Sequence, residues 1–185
     1  MNDNKKISVL MSTYKNDDAI YLKESIDSIL NQTLRPDEIV IVIDGAIPKV
    51  NMDILLDYSR NNSLIKLIKL KKNVGLGLAL NRGVKECKNE LIARMDSDDI
   101  ADTNRLKLQY DAINKYDCDI VGGNISEFVG DKKNVVSYRI VPELDDDIKK
   151  YMKQRCPMNH VTVMFRKKSV LEAGNYMSWH YNEDY

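Results

Sequence analysis

Four short apolar runs, at residues 7–11, 39–43, 65–70 and 91–95, alternate with stretches whose apolar residues recur every three to four positions, and this rhythm restricts the fold more than any other feature. Runs of aliphatic and β-branched residues without polar alternation suit strands covered on both faces. The intervening helical stripes are Leu22, Ile26, Ile29 and Leu30; Met52, Leu55 and Leu56; Leu76, Ala79, Leu80, Val84 and Cys87; and Leu106, Tyr110 and Ile113. Asp17 and Asp18 are candidate caps for the first of these, which Pro36 stops, and the last is expected to be capped near Asp102. Strands joined through helices predict an α/β fold with a mainly parallel central sheet flanked by helices. In such folds ligands collect at the carboxyl ends of the strands.

After residue 120 the rhythm changes. Residues 120–129 and 135–140 flank the turn-like Gly130-Asp-Lys-Lys-Asn134 and predict a hairpin. Leu144, Ile148, Tyr151 and Met152 predict one more helix, residues 161–165 one more strand, and residues 168–173 a last helix. A length of 185 residues with 43% hydrophobic side chains suits a single domain over residues 1–185 with a continuous core. The final Asn182-Glu-Asp-Tyr185 has neither a helix cap nor a polar tail, which leads us to expect a longer protein with an incomplete C-terminal part here.

Lys and Arg balance Asp and Glu at 28 each, so the overall field gives no reason to expect a nucleic-acid partner. Cys87, Cys118 and Cys156 are widely spaced, form no CxxC pair and follow no secretory leader. Free thiols in a reducing, cytoplasmic setting are the expectation. No apolar run reaches the roughly 18 to 20 residues of a membrane-spanning helix. Membrane contact is therefore expected only through peripheral or missing segments, at the inner face of the membrane.

Three segments carry candidate chemistry. Asp96, Asp98 and Asp99 crowd the end of the fourth apolar run. Carboxylates at this density need water or a cation between them, and an oxygen-rich strand end suits Mg²⁺ or Mn²⁺ shared with a substrate's phosphates. A solvated turn that caps a helix is the alternative. An EF-hand starting at Asp96 is excluded, because Ala101 and Lys107 stand where Gly and Glu are needed. Asp44-Gly45 ends the second run and is either a nucleoside contact or a simple turn. Asn73, Gly75, Gly77, Asn81 and Gly83 form a glycine-rich loop entering a helix, open either to a diphosphate or to close packing alone. No Rossmann fingerprint is present, since Ser12-Thr13-Tyr14 follows the first run where glycines would be required. His160 and His180 lack partners at metal-ligand spacing and read as structural or exposed. Glu183-Asp184 is a candidate general base or a surface pair.

In order and spacing, residues 7–14, 37–45, the Asn73-x-Gly-x-x-x-Ala-x-Asn-x-Gly83 stretch, Ala93-Arg-Met-Asp-Ser-Asp-Asp99, Arg105-Leu-x-x-Gln109 and Glu183-Asp184 resemble the family 2 glycosyltransferases. That resemblance implies the glycosyltransferase A fold, with residues 1–100 binding the nucleotide and 101–185 forming the acceptor side. It implies an inverting transfer of a hexosyl or N-acetylhexosaminyl group from a nucleotide-sugar, usually a UDP-sugar, to a hydroxyl of a carbohydrate or lipid-linked sugar, in polysaccharide or glycoconjugate synthesis. Thr13 and Tyr14 match the loop against the nucleotide, and Asp44 matches the residue that reads the base, with Asn73 beside it. Asp96 matches the carboxylate near the ribose, Asp98 the metal ligand, and Asp184 the catalytic base. The family's usual Asp-Asp-Gly-Ser is Ile43-Asp-Gly-Ala46 here, and its Pro-Thr-Tyr is Ser12-Thr-Tyr14. Two rival readings are a nucleotidyltransferase, which would want a Gly-rich, basic phosphate loop after the first strand, and a non-catalytic nucleotide-sugar-binding domain.

Overall fold

A computed structural model describes residues 6–179. The chain runs β1 (Ile7–Thr13), α1 (Ala19–Leu30), β2 (Glu38–Ile43), α2 (Lys49–Asn61), β3 (Ile65–Lys69), α3 (Leu76–Glu86), β4 (Leu91–Met95) and α4 (Arg105–Lys115). It continues through β5 (Ile120–Val121), β6 (Ile125–Phe128), β7 (Val135–Arg139), α5 (Asp145–Tyr151), a 3₁₀ turn at His160–Thr162, β8 (Met164–Arg166) and α6 (Lys167–Glu172). The first four strands form the parallel order β3-β2-β1-β4, and β8 and then β5 extend this sheet with antiparallel pairings. The expected mainly parallel sheet flanked by helices is what the chain forms.

Side chains of successive strand residues point to opposite faces, and the strands divide accordingly. Ile7, Val9 and Met11 of β1, with Ile39 and Ile41 of β2 and Ala93 and Met95 of β4, pack with Leu22 and Ile26 of α1, Leu55 of α2 and Leu106 of α4. Leu10, Val40, Val42 and Ile92 face the other way, toward Ala79, Leu80 and Val84 of α3 and Phe165 of β8. Burial on both faces explains why these strands read as unbroken apolar runs. A Cβ at Gly83 would fall 2.2 Å from Leu10 Cδ1 and 3.0 Å from Val42 Cγ2, so only glycine lets α3 lie this close to the sheet.

Asp18 caps α1, its carboxylate accepting from the Ile20 and Tyr21 amides. Asn104, not Asp102, occupies the cap position of α4; Asp102 instead accepts the Asn104 amide at 2.8 Å and shapes the turn before it. The expected 120–129 strand is broken at Gly122-Gly123: β5 joins the main sheet, while β6 leaves it and pairs with β7. The stripe from Leu144 to Met152 does form a helix, but α5 buries none of its residues and Leu144 is 67% exposed. The last strand begins at Met164 rather than 161, because His160–Thr162 closes as a 3₁₀ turn held by Thr162 Oγ1 on the Asn159 carbonyl at 2.7 Å. Among the described residues no helix is long and apolar enough to cross a membrane.

Candidate functional site

The carboxyl ends of β1, β2 and β4 lie side by side in the parallel sheet, which brings three loops distant in sequence to one edge. Thr13 ends β1 and is buried, with its Oγ1 lacking a hydrogen-bond partner among the described residues. Tyr14, the next residue, is 42% exposed beside the same edge. The Asp44 amide donates to the Thr13 carbonyl at 2.8 Å, carrying the β1–β2 pairing one residue past the strands.

Asp44 is only 3% exposed, and its carboxylate is occupied. Oδ1 accepts the Val74 amide at 2.7 Å, and Oδ2 accepts the Gly75 amide and Asn73 Nδ2 at 3.0 Å each. A carboxylate offers about four lone-pair directions, and three bonds are accepted from the 73–75 loop. Its evident work is to fold the loop at residues 73–75 against the end of β2. Gly45 makes this approach possible: its φ is +85°, and a Cβ there would stand 2.5 Å from the Asn73 amide nitrogen.

The acidic loop follows β4 directly. Ligand oxygens of Asp96, Asp98 and Asp99 lie within 4.8 Å of one another, close enough to share one cation. The three are not equivalent. Arg94, fully buried in β4, forms a two-pronged ion pair with the Asp96 carboxylate. Asp98 and Asp99 make no such ion pair among the described residues: burial first, and then the neighbouring Asp96, raises both, and Asp99 is pushed up to about 6. Two under-compensated carboxylates held together at a strand end fit a hard divalent cation, which would relieve the repulsion that lifts them.

A second layer holds this loop in place. Ser97 Oγ donates to Asp17 Oδ2 at 2.6 Å, and Asp17 Oδ2 also accepts the Tyr14 amide at 3.1 Å, so the loops after β1 and β4 share one carboxylate. Ser25 Oγ of α1 donates to the Asp96 carbonyl at 2.6 Å. Arg105 at the start of α4 donates to the Arg94 carbonyl at 2.5 Å and to Gln109 at 3.1 Å. Burial, and then Arg94, lowers its guanidinium to about 10, which leaves it charged at neutral pH. His160 Nε2 lies 2.9 Å from the Tyr176 hydroxyl, and burial, with Arg94 adding to it, lowers its ring to about 3. It is therefore a neutral structural group, as its isolation in the sequence indicated.

Thr13, Tyr14, Asp44, Asn73, Asp96 and Asp98 thus all belong to one edge. Asp184 and His180 lie outside the described residues. The sequence reasoning missed the roles of Arg94, Ser97 and Asp17. An arginine inside an otherwise apolar strand two residues before an aspartate was the available signal for Arg94; the Asp17–Ser97 bond joins positions 80 apart and left none.

A mostly parallel six-stranded sheet flanked by helices, with an acidic loop at its parallel strand ends, is the architecture of the glycosyltransferase A fold. The model of the "Glycosyl transferase family 2" matches residues 8–174, and the chain belongs to that family. It is 37% identical over 184 residues to the Escherichia coli UDP-Gal:alpha-D-GlcNAc-diphosphoundecaprenol beta-1,3-galactosyltransferase, covering 99% of this chain and 66% of that protein. Three such curated relatives are matched over 64% to 66% of their length, so the chain spans just under two thirds of each. S. aureus TarS 1-349 in complex with UDP shares the fold at a TM-score of 0.72 and 22% identity, over 97% of this chain and 52% of that one. The mannosyltransferase PcManGT from Pyrobaculum calidifontis, in complex with GDP-Man and Mn2+, does so at 0.66 and 17%, over 97% and 49%.

Proposed function

We propose that the protein is an inverting, metal-dependent transferase that moves a hexosyl or N-acetylhexosaminyl group from a UDP-sugar to a hydroxyl of a lipid-linked sugar, working in the cytoplasm at the inner face of the membrane. The observation that carries this reading is the acidic loop. Asp98 and Asp99 make no ion pair among the described residues while Arg94 neutralises Asp96, at the edge where Thr13, Tyr14 and Asn73 also lie. Family membership supports the group transferred, and the E. coli relative named above supports a diphosphate-linked lipid as acceptor.

In this reading the uridine lies between Tyr14 and the 73–75 loop, which Asp44 holds in shape. Asp96, fixed by Arg94, faces the ribose, and Asp98, with Asp99 beside it, holds Mn²⁺ or Mg²⁺. When bound, the cation supplies Lewis-acid countercharge for the departing diphosphate. The acceptor oxygen attacks the anomeric carbon while the bond from that carbon to the diphosphate oxygen breaks on the opposite face. The configuration inverts, and Asp184 takes the hydroxyl proton, a role worth roughly 10² to 10⁴ in rate. Asp184's part rests on the resemblance of Glu183-Asp184 to the family's base motif.

Calorimetry with UDP and Mn²⁺ tests the donor site. Asp98→Asn is expected to abolish metal-dependent UDP binding while leaving the fold intact, because the side chain is exposed. UDP affinity that is equal with and without metal in the parent protein refutes the assignment. For the base, Asp184→Asn in the longer protein is expected to retain UDP affinity and lose transfer, the mark of a transition-state role; parallel loss of both assigns Asp184 to the structure instead.

A further inference from the structure

The break at Gly122-Gly123 sends β6 and β7 away from the sheet and leaves a groove between this hairpin and the face of α4 that does not pack on the sheet. Its cavity is about 630 Å³, within the range of small-ligand sites. One end is formed by Asp99 and Arg105, at the acidic loop. Its walls are Leu108 and Ala112 of α4 and Ser126 and Phe128 of β6, and Lys132 of the hairpin turn stands at the rim. Ser126 pairs with Tyr138 and Phe128 with Val135 across the hairpin, so each pair shares a face. These side chains are solvent-exposed: Leu108 by 62%, Tyr138 by 70% and Val135 by 37%.

Aliphatic and aromatic side chains open to water next to an acidic loop form a surface that a bound molecule would cover. An occupant that is apolar along most of its length and anionic at one point matches this surface, since the exposed Lys132 is the lysine among the groove's lining residues. We propose that this groove is the acceptor's lipid site. The prenyl chain of a polyprenyl-diphosphate-linked sugar lies on Leu108, Phe128 and Tyr138, Lys132 is the countercharge for its diphosphate, and the sugar hydroxyl is directed toward the Asp99 end. The inference rests on the transferase reading above and adds to it the place where the lipid binds.

The test uses farnesyl diphosphate below its micelle concentration and inorganic pyrophosphate as probes, titrated calorimetrically into the chain with UDP and Mn²⁺ saturating the donor site. Pyrophosphate reads the charge alone, so the ratio of the two affinities reads the apolar wall. Farnesyl diphosphate is expected to bind at least about tenfold more tightly than pyrophosphate, from burial of its isoprene carbons. Leu108→Glu with Tyr138→Ser, both at exposed positions, is expected to bring the two affinities within about threefold while UDP·Mn²⁺ affinity and thermal midpoint stay unchanged. Lys132→Glu is expected to weaken both probes and keep their ratio. A parent protein without preference for the prenyl probe, or a preference that survives the double substitution, overturns the proposal. So does a parent that sediments as a dimer and is dissociated by Leu108→Glu, since a second copy would then cover the groove. Failure of UDP·Mn²⁺ to bind the parent refutes the donor-site reading instead, and is seen before either probe is added.

Discussion

Replacing Asp99 by Asn should stabilise the metal-free protein at neutral pH, because this carboxylate is held charged at a cost. Its value rises from the usual 3.8 to about 6, through burial and the neighbouring Asp96 and Asp98. Each unit corresponds to about 1.36 kcal/mol, which sets a ceiling of about 3 kcal/mol. The group is partly open to solvent, and screening reduces the expected gain to about 1–2 kcal/mol. For a chain of this size that is a rise in Tm of about 2–8 °C. The sign with pH follows from the raised value. The folded state holds the proton more tightly than the unfolded chain, so the protonated form's stability is fully present below about 3.8 and lost as pH rises through about 6. Differential scanning calorimetry with chelator, from pH 3.5 to pH 8, should therefore show parent and variant converging at the acid end and separating above about pH 6. Adding Mn²⁺ at pH 7.5 should raise the parent's Tm more than the variant's, since the cation removes the same repulsion. An unchanged or lower Tm for Asp99→Asn at neutral pH, or a gain that persists at pH 3.5, would refute the reasoning.

Gly45→Ala combines a φ of +85° with a Cβ placed 2.5 Å from the Asn73 amide nitrogen. It should cost at least about 2 kcal/mol in urea unfolding and weaken UDP binding as the 73–75 loop is pushed away; an unchanged midpoint contradicts the close approach. Ser97→Ala removes the 2.6 Å bond to Asp17 that joins the loops after β1 and β4. UDP·Mn²⁺ affinity should fall by about tenfold with only a few degrees lost in Tm, and a variant that binds as tightly as the parent shows that the loops do not depend on each other.

Much of this architecture was legible because parallel strands covered on both faces must be continuously apolar. Val40, Ile41 and Val42 permit no other placement, and Ala79, Leu80 and Val84 mark the helix that covers them. The second half was less legible for a definite reason. Residues 120–129 satisfy strand propensity throughout, yet Gly122-Gly123 lets the chain change partners, and nothing local announces that Ile120 pairs with Phe165 while Phe128 pairs with Val135. The stripe of α5 announced a helix, and a helix forms, but its exposure was not legible, because periodicity reports which residues share a face and not whether anything covers it. At the site, the acidic loop stood out through its charge density. The inequality of its members did not, because it depends on Arg94 turning toward Asp96. Asp44 was recognisable at a strand end, but its engagement with backbone amides 30 and 31 residues away is a tertiary fact.

The carboxylates of Asp17 and Asp44 each tie one strand-end loop to another at the edge of the sheet. These loops are thereby assembled during folding, and the entropy of ordering them is spent before any ligand arrives. Association should then run at a rate set by diffusion and charge, without a slow conformational phase, and mutations that loosen either tie should appear chiefly as faster dissociation.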